Sequence, residues 1–91
     1  MAHTIDEKRK LLNRVRRIRG QVEAIERELN DEGECAAVLH TISACRGAMD
    51  ALMAEVIEGH IRFHILDTKH QTDEQAQAAD DLVDALRSYL R

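Results

Sequence analysis

Residues 34 to 65, ECAAVLHTISACRGAMDALMAEVIEGHIRFHI, form a long proline-free run with metal-ligand side chains at both ends. Its apolar residues Leu39, Ile42, Cys45, Met49, Leu52, Val56 and Phe63 step by three and four, and Val38, Met53 and Ile57 widen the stripe to a core-facing surface. The spacing predicts one helix of about nine turns. Cys35 falls in its first turn, while His60 and His64 fall in its last turns, four residues apart and therefore on one side. At about 1.5 Å per residue, Cys35 and His60 stand roughly 37 Å apart on a straight helix, so they cannot share an ion within one chain.

Two copies of the helix laid antiparallel bring Cys35 of one beside both histidines of the other, because the midpoint between these ligands falls between Ala48 and Met49. A glycine inside a helix costs roughly 1 kcal/mol relative to alanine. Gly47, next to that midpoint, is explained if two backbones approach closely there. A dimer with two symmetric thiolate and imidazole sites is expected.

The rest of the chain fits such an assembly. Its 91 residues allow one small domain, and 44 % of them are hydrophobic, but Phe63 and Tyr89 are the only aromatics, so the core has to be aliphatic. The absence of proline and the abundance of Ala, Leu, Glu and Arg make the chain all-α in tendency, and amphipathic helices of this size complete their core by associating. A single domain over residues 1–91 is expected, with helices over about 4–30, 34–65 and 73–90. Cys35 and Cys45 lie roughly 15 Å apart by helix rise, too far for a disulfide. With no leader pattern and no apolar run approaching about 18 residues, a cytoplasmic protein without membrane contact is expected.

Charge is unevenly placed. Residues 1 to 20 carry Lys8, Arg9, Lys10, Arg14, Arg16, Arg17 and Arg19 against Asp6 and Glu7, a balance of +5; the whole chain is −4, which leaves −9 for the remainder. An acidic protein with such a segment is suited to phosphate backbones, each arginine neutralising a phosphate while the acidic body faces away. The alternative is a solvated helix whose arginines pair with nearby glutamates.

In the first helix Leu11, Leu12, Val15, Ile18, Val22, Ile25 and Leu29 repeat at three and four, with Thr4 or Asp6 as cap. The polar turn Asn30, Asp31, Glu32, Gly33 reverses the chain, Gly33 supplying the conformational freedom, so that the first two helices pack as a hairpin. Asp67 to Asp73 reads as a linker. Thr72 or Asp73 caps a third helix with the stripe Ala78, Ala79, Leu82, Val83, Leu86 and Leu90, a lid or an oligomer brace.

Two histidines at i and i+4 make a common bidentate arrangement for zinc, nickel, cobalt or copper, and Cys35 adds a thiolate across the expected dimer. His3 joins them: Ala2 is a residue after which the initiator methionine is normally removed, and the free amine and the His3 imidazole then form a terminal chelate. His40 and His70 are assigned structural or solvent roles, and Cys45 a place in the core. There is no Gly-rich phosphate loop, G-x-S-x-G, H-E-x-x-H or C-x-x-C in the sequence, so a binding or sensing protein is expected, not an enzyme.

The stretches RVRRIRGQVEAIERELN (14–30) and ACRGAMDALMAEVIEGHI (44–61), with the cysteine at 35 between them, resemble the CsoR/RcnR/FrmR family of small all-helical repressors over essentially the whole chain. The resemblance implies a three-helix protomer, an antiparallel helical-bundle dimer, a dimer of dimers as homotetramer, and double-stranded operator DNA held by the first helix and released when an effector binds. Lys8, Lys10, Arg14, Arg16, Arg17 and Arg19 are the expected DNA contacts. No helix-turn-helix is recognisable, so DNA shape is the expected signal.

Within that family His3, Cys35, His60 and His64, with the Ala2 amine, are similar to the ligands of the nickel- and cobalt-sensing RcnR/DmeR branch, which implies control of metal efflux genes. Copper sensors have cysteine where this chain has His64. Nitrogen ligands suit Ni(II) and Co(II), with Zn(II) a further effector. The alternative is a formaldehyde-responsive repressor of the FrmR type, which needs only Cys35 and the N-terminal amine joined by a one-carbon bridge; that branch has proline at position 2, where this chain has Ala2. A helical adaptor or metal buffer that binds no DNA would use the same core without seven basic residues among its first twenty.

Overall fold

The computed structural model describes residues 5–65 and 70–90, and for residues 64 and 65 the backbone only. Helix α1 runs Ile5–Asn30, α2 runs Cys35–His60 and continues as a π-helical turn Ile61–Ile65, and α3 runs Asp73–Tyr89. No strand occurs among the described residues, which agrees with the helical periodicity of the sequence. None of these helices is long and apolar enough to cross a membrane.

Asp6 and Glu7 occupy the first turn of α1, where carboxylates complement the helix dipole. Thr4, the other expected cap, lies outside the described residues. At the other end the helix closes in a Schellman arrangement: the Gly33 N–H donates to the Glu28 carbonyl at 2.7 Å and the Glu32 N–H to the Leu29 carbonyl at 3.3 Å. The left-handed residue of this turn is Glu32, at φ 54°, and not Gly33, to which the sequence reading gave that task. Gly33 supplies space instead. A Cβ there would stand 3.0 Å from the Glu28 carbonyl oxygen.

The reversed chain enters α2 without a side-chain cap at Glu34. A Thr41 hydroxyl donating to Glu28 Oε1 at 2.9 Å fastens the start of α2 to the end of α1. Ile18 of α1 and Val38 and Ala54 of α2 are buried in this hairpin. For α3, Thr72 is the residue that caps: its Oγ1 accepts from the Gln75 N–H at 3.1 Å, and its own N–H donates to Gln75 Oε1 at 2.8 Å. Ala79 and Val83 then pack on Ile61, flanked by Ile57 and Leu86. The π turn therefore starts where α3 docks.

The apolar stripe that the sequence assigned to the core of α2 is mostly outside it. Leu39, Ile42, Met49, Met53 and Phe63 are exposed, whereas Val38, Ala54, Gly59 and Ile61 are buried. The reason is that α2 is apolar on more than one side, and α1 and α3 cover only part of it. Likewise α1 buries Ile18 alone of its stripe, with Leu12, Val15, Val22 and Leu29 exposed. The Cα radius of gyration is 17.1 Å, against about 12 Å for a compact domain of this length. Gly47 has nothing within 4 Å of the position of a Cβ.

The turn gives the first prediction. Glu32→Gly relieves a left-handed side-chain conformation and raises the thermal midpoint, while Gly33→Ala presses a methyl group on the Glu28 carbonyl and lowers it. Each change is about 1 kcal/mol, read as opposite shifts in far-UV circular dichroism melts.

Candidate functional site

The cations of α1 do not share one face. Lys10, Arg14 and Arg17 follow at i, i+4 and i+7 along one flank, and the helical repeat turns Lys8, Arg16 and Arg19 to another. The first three, with Asn13 and with Glu55 from α2, line an open recess of about 410 Å³. Lys8, Lys10, Arg16, Arg17 and Arg19 are exposed and Arg14 is half-buried. Arg16 Nη1 donates to Asn13 Oδ1 at 3.1 Å. Arg14 Nη2 lies 3.6 Å from Glu55 Oε1. The other four form no ion pair among the described residues, so their charge faces solvent and is open to an external anion.

The metal-ligand candidates are placed at the extremities of α2. Cys35 is its first residue and exposed, and His60 is its last and exposed. His64 lies in the π turn, so the expectation of a His60/His64 pair on a regular α-helix is corrected: the backbone between them is π-helical from Ile61. Such turns recur at functional sites. The side chain of His64 and the whole of Ala2 and His3 lie outside the described residues. Among the described residues no three His, Cys, Asp or Glu side chains converge on a metal-sized position. A helix of 26 residues separates Cys35 from His60. His40 is exposed, Cys45 half-buried, and His70 exposed in the turn before α3.

A set of ion pairs at the junction of the three helices escaped the sequence reading. Arg87 Nη2 of α3 meets Glu58 Oε2 at 2.5 Å and Glu55 Oε1 at 3.4 Å. Arg62 Nε meets Glu58 Oε1 at 3.3 Å, and its Nη2 meets Asp80 Oδ1 at 2.8 Å. Both guanidinium pKa values rise above the ordinary arginine value, Arg62 through its hydrogen bond to Asp80 first and Arg87 through its hydrogen bond to Glu58 first. Glu58 and Arg62 are four residues apart, but the pairs that reach α3 join residues 18 to 32 positions apart in sequence, which no local spacing rule links.

Comparison with known proteins identifies the family. The model of a family described as "Metal-sensitive transcriptional repressor" matches residues 7–88. An uncharacterised protein of the bioA 5′ region of Serratia marcescens is 48% identical over 91 residues, covering 100% of both chains. The transcriptional repressor RcnR of Salmonella paratyphi B is 45% identical over 93 residues, again with 100% of both chains covered. Among solved structures, a glutamate-to-histidine variant of the formaldehyde-responsive regulator FrmR from Salmonella enterica serovar Typhimurium superposes with a TM-score of 0.71 at 41% identity, over 97% of this chain and 99% of that one.

Exposure separates the two thiols. A disulfide reagent such as DTNB reacts with Cys35 faster than with the half-buried Cys45. In a stopped-flow trace of the metal-free protein Cys35→Ala therefore removes the fast phase and leaves the slow one.

Proposed function

Because the chain belongs to the family of metal-sensitive transcriptional repressors, which are not enzymes, we propose that it is a cytoplasmic repressor that holds operator DNA when metal-free and releases it on binding Ni(II) or Co(II), so controlling metal efflux genes. The observation that carries this reading is the placement of Cys35 and His60 at opposite ends of α2, with the unpaired cations on the helix packed against it.

The half-covered apolar stripes of α1 and α2 support a homodimer with antiparallel α2 helices and, from it, a homotetramer. In that arrangement Cys35 of one protomer faces His60 and His64 of the partner subunit, and His3 with the Ala2 amine completes the set. One thiolate with several nitrogen donors fits borderline divalent ions, Ni(II) and Co(II) first and Zn(II) also. An ion bound there supplies a link between protomers and between the start of α1 and the ends of α2.

Lys8, Lys10, Arg14, Arg16, Arg17 and Arg19 contact phosphates, and the sequence preference comes from duplex shape. His3 lies just before α1, so its recruitment changes where the cations of α1 stand. Release follows only in proportion to the differential affinity of the effector for the two states; couplings of about 1–3 kcal/mol correspond to roughly 5–150-fold in operator affinity.

The second reading is favoured by the likeness to the formaldehyde-responsive regulator FrmR. There Cys35 and the N-terminal amine are bridged by one carbon atom, and neither His60 nor His64 is needed.

Two measurements test these roles. Lys10→Gln with Arg17→Gln lowers operator affinity and reduces the slope of log affinity against log salt by about 2 for each protomer engaged, at about 0.9 per phosphate contact; an unchanged slope removes the recess from the interface. Operator release is also titrated with Ni(II), Co(II), Zn(II), Cu(I) and formaldehyde in parallel. Cys35→Ala abolishes every response, and His64→Leu impairs the response to nickel and cobalt. Release by formaldehyde alone, unaffected by His64→Leu, establishes the second reading in place of the first.

A further inference from the structure

Arg14 differs from the other five cations assigned to DNA: among the described residues it alone is tied to a carboxylate, with its Nη2 3.6 Å from Glu55 Oε1. Glu55 is also the only acidic residue among the described residues that line the recess, with Lys10, Asn13, Arg14 and Arg17. The same oxygen of Glu55 is also approached by Arg87 Nη2 at 3.4 Å. One carboxylate of α2 is thus shared between an arginine of the basic helix and an arginine of α3. Arg87 is itself positioned by Glu58, at 2.5 Å.

We infer that Glu55 is an intramolecular stand-in for a DNA phosphate, which occupies Arg14 in the DNA-free protein, and that Arg87 draws on the same oxygen and so sets how readily Arg14 is given up to the duplex. This rests on the assignment of the α1 cations to DNA. A carboxylate and a phosphate both present anionic acceptor oxygens to a guanidinium, so the exchange replaces the 3.6 Å ion pair of Arg14 with a phosphate contact and keeps its charge paired. Side-chain exposures of 41% for Arg14 and 37% for Glu55 leave the pair well solvated, a regime in which ion pairs are weak and exchangeable. When Arg14 leaves, Glu55 keeps Arg87, and no carboxylate is stranded. Removing Glu55 and removing Arg87 therefore act in opposite directions on DNA affinity. A general effect of net charge does not couple the two through Arg14.

The experiment measures binding of the intact protein to a duplex of the DNA upstream of its own gene, for the wild type, Glu55→Gln, Arg87→Gln, Arg14→Gln and the pairwise combinations. Asp84→Asn, on the exposed face of α3, serves as a control for loss of one negative charge. Glu55→Gln is expected to tighten binding about two- to fivefold and Arg87→Gln to weaken it by a similar factor, the range of exposed ion pairs. Both effects shrink towards one in the Arg14→Gln background, and the Arg87→Gln effect also vanishes with Glu55→Gln. A Glu55→Gln effect that is absent, matched by Asp84→Asn, or undiminished by Arg14→Gln overturns the inference. If instead the wild type binds the duplex but Arg14→Gln leaves its affinity unchanged, the assignment of Arg14 to DNA has failed, and the inference falls with it.

Discussion

The antiparallel pairing of α1 with α2 is the contact on which both halves of the site depend. It is made at the Glu32–Gly33 turn and fastened by the Thr41–Glu28 hydrogen bond, and it lays Lys10, Arg14 and Arg17 of α1 beside Glu55 in the C-terminal half of α2, while α2 carries Cys35 and His60 at its ends. Residues that would hold an anion and residues that would hold a cation are thereby attached to one rigid rod. In the proposed function, coupling of the two ligands would require that each make different contacts in two states of this helix pair.

Charge is organised around the same rod. The acidic residues Glu55 and Glu58 of α2 and Asp80 of α3 hold Arg62 and Arg87, and Glu55 reaches Arg14. Arg9 pairs with Asp6 within α1, and Lys8, Lys10, Arg17 and Arg19 form no ion pair among the described residues. Exposed pairs of this kind contribute little to stability one by one; their effect is on which cations are available, and that bears on binding more than on folding.

Apolar burial is the weaker part of the protomer. Among the described residues six make up the buried hydrophobic core, and none of the larger side chains is fully enclosed. Both α1 and α2 show apolar residues on the side away from their contact, and at 17.1 Å the radius of gyration is too large for a chain of this length that has satisfied its own stripes. In the proposed arrangement, burial of these surfaces against further copies would supply the missing stabilisation and complete the ligand set at the same time.

The sequence by itself determined the helices and their order, since periodicity, the polar turn at 30–33 and the Thr72 cap are local signals that act within a few residues. It also determined which residue types stand at the ends of the long helix, and the family resemblance carried by RVRRIRGQVEAIERELN and ACRGAMDALMAEVIEGHI. Tertiary structure decided the rest. Which side of an all-round apolar helix is buried depends on where its neighbours lie, and so Val38 and Ala54 are covered while Leu39 and Met49 are not. The left-handed residue fell on Glu32 because the Schellman bonds are set by where α1 ends, whereas Gly33 was needed where the chain passes the Glu28 carbonyl. The helical rise and repeat are readable from sequence, but the sharing of Glu55 between Arg14 and Arg87 joins three helices through residues far apart in the chain, and only the packing of those helices brings them within reach.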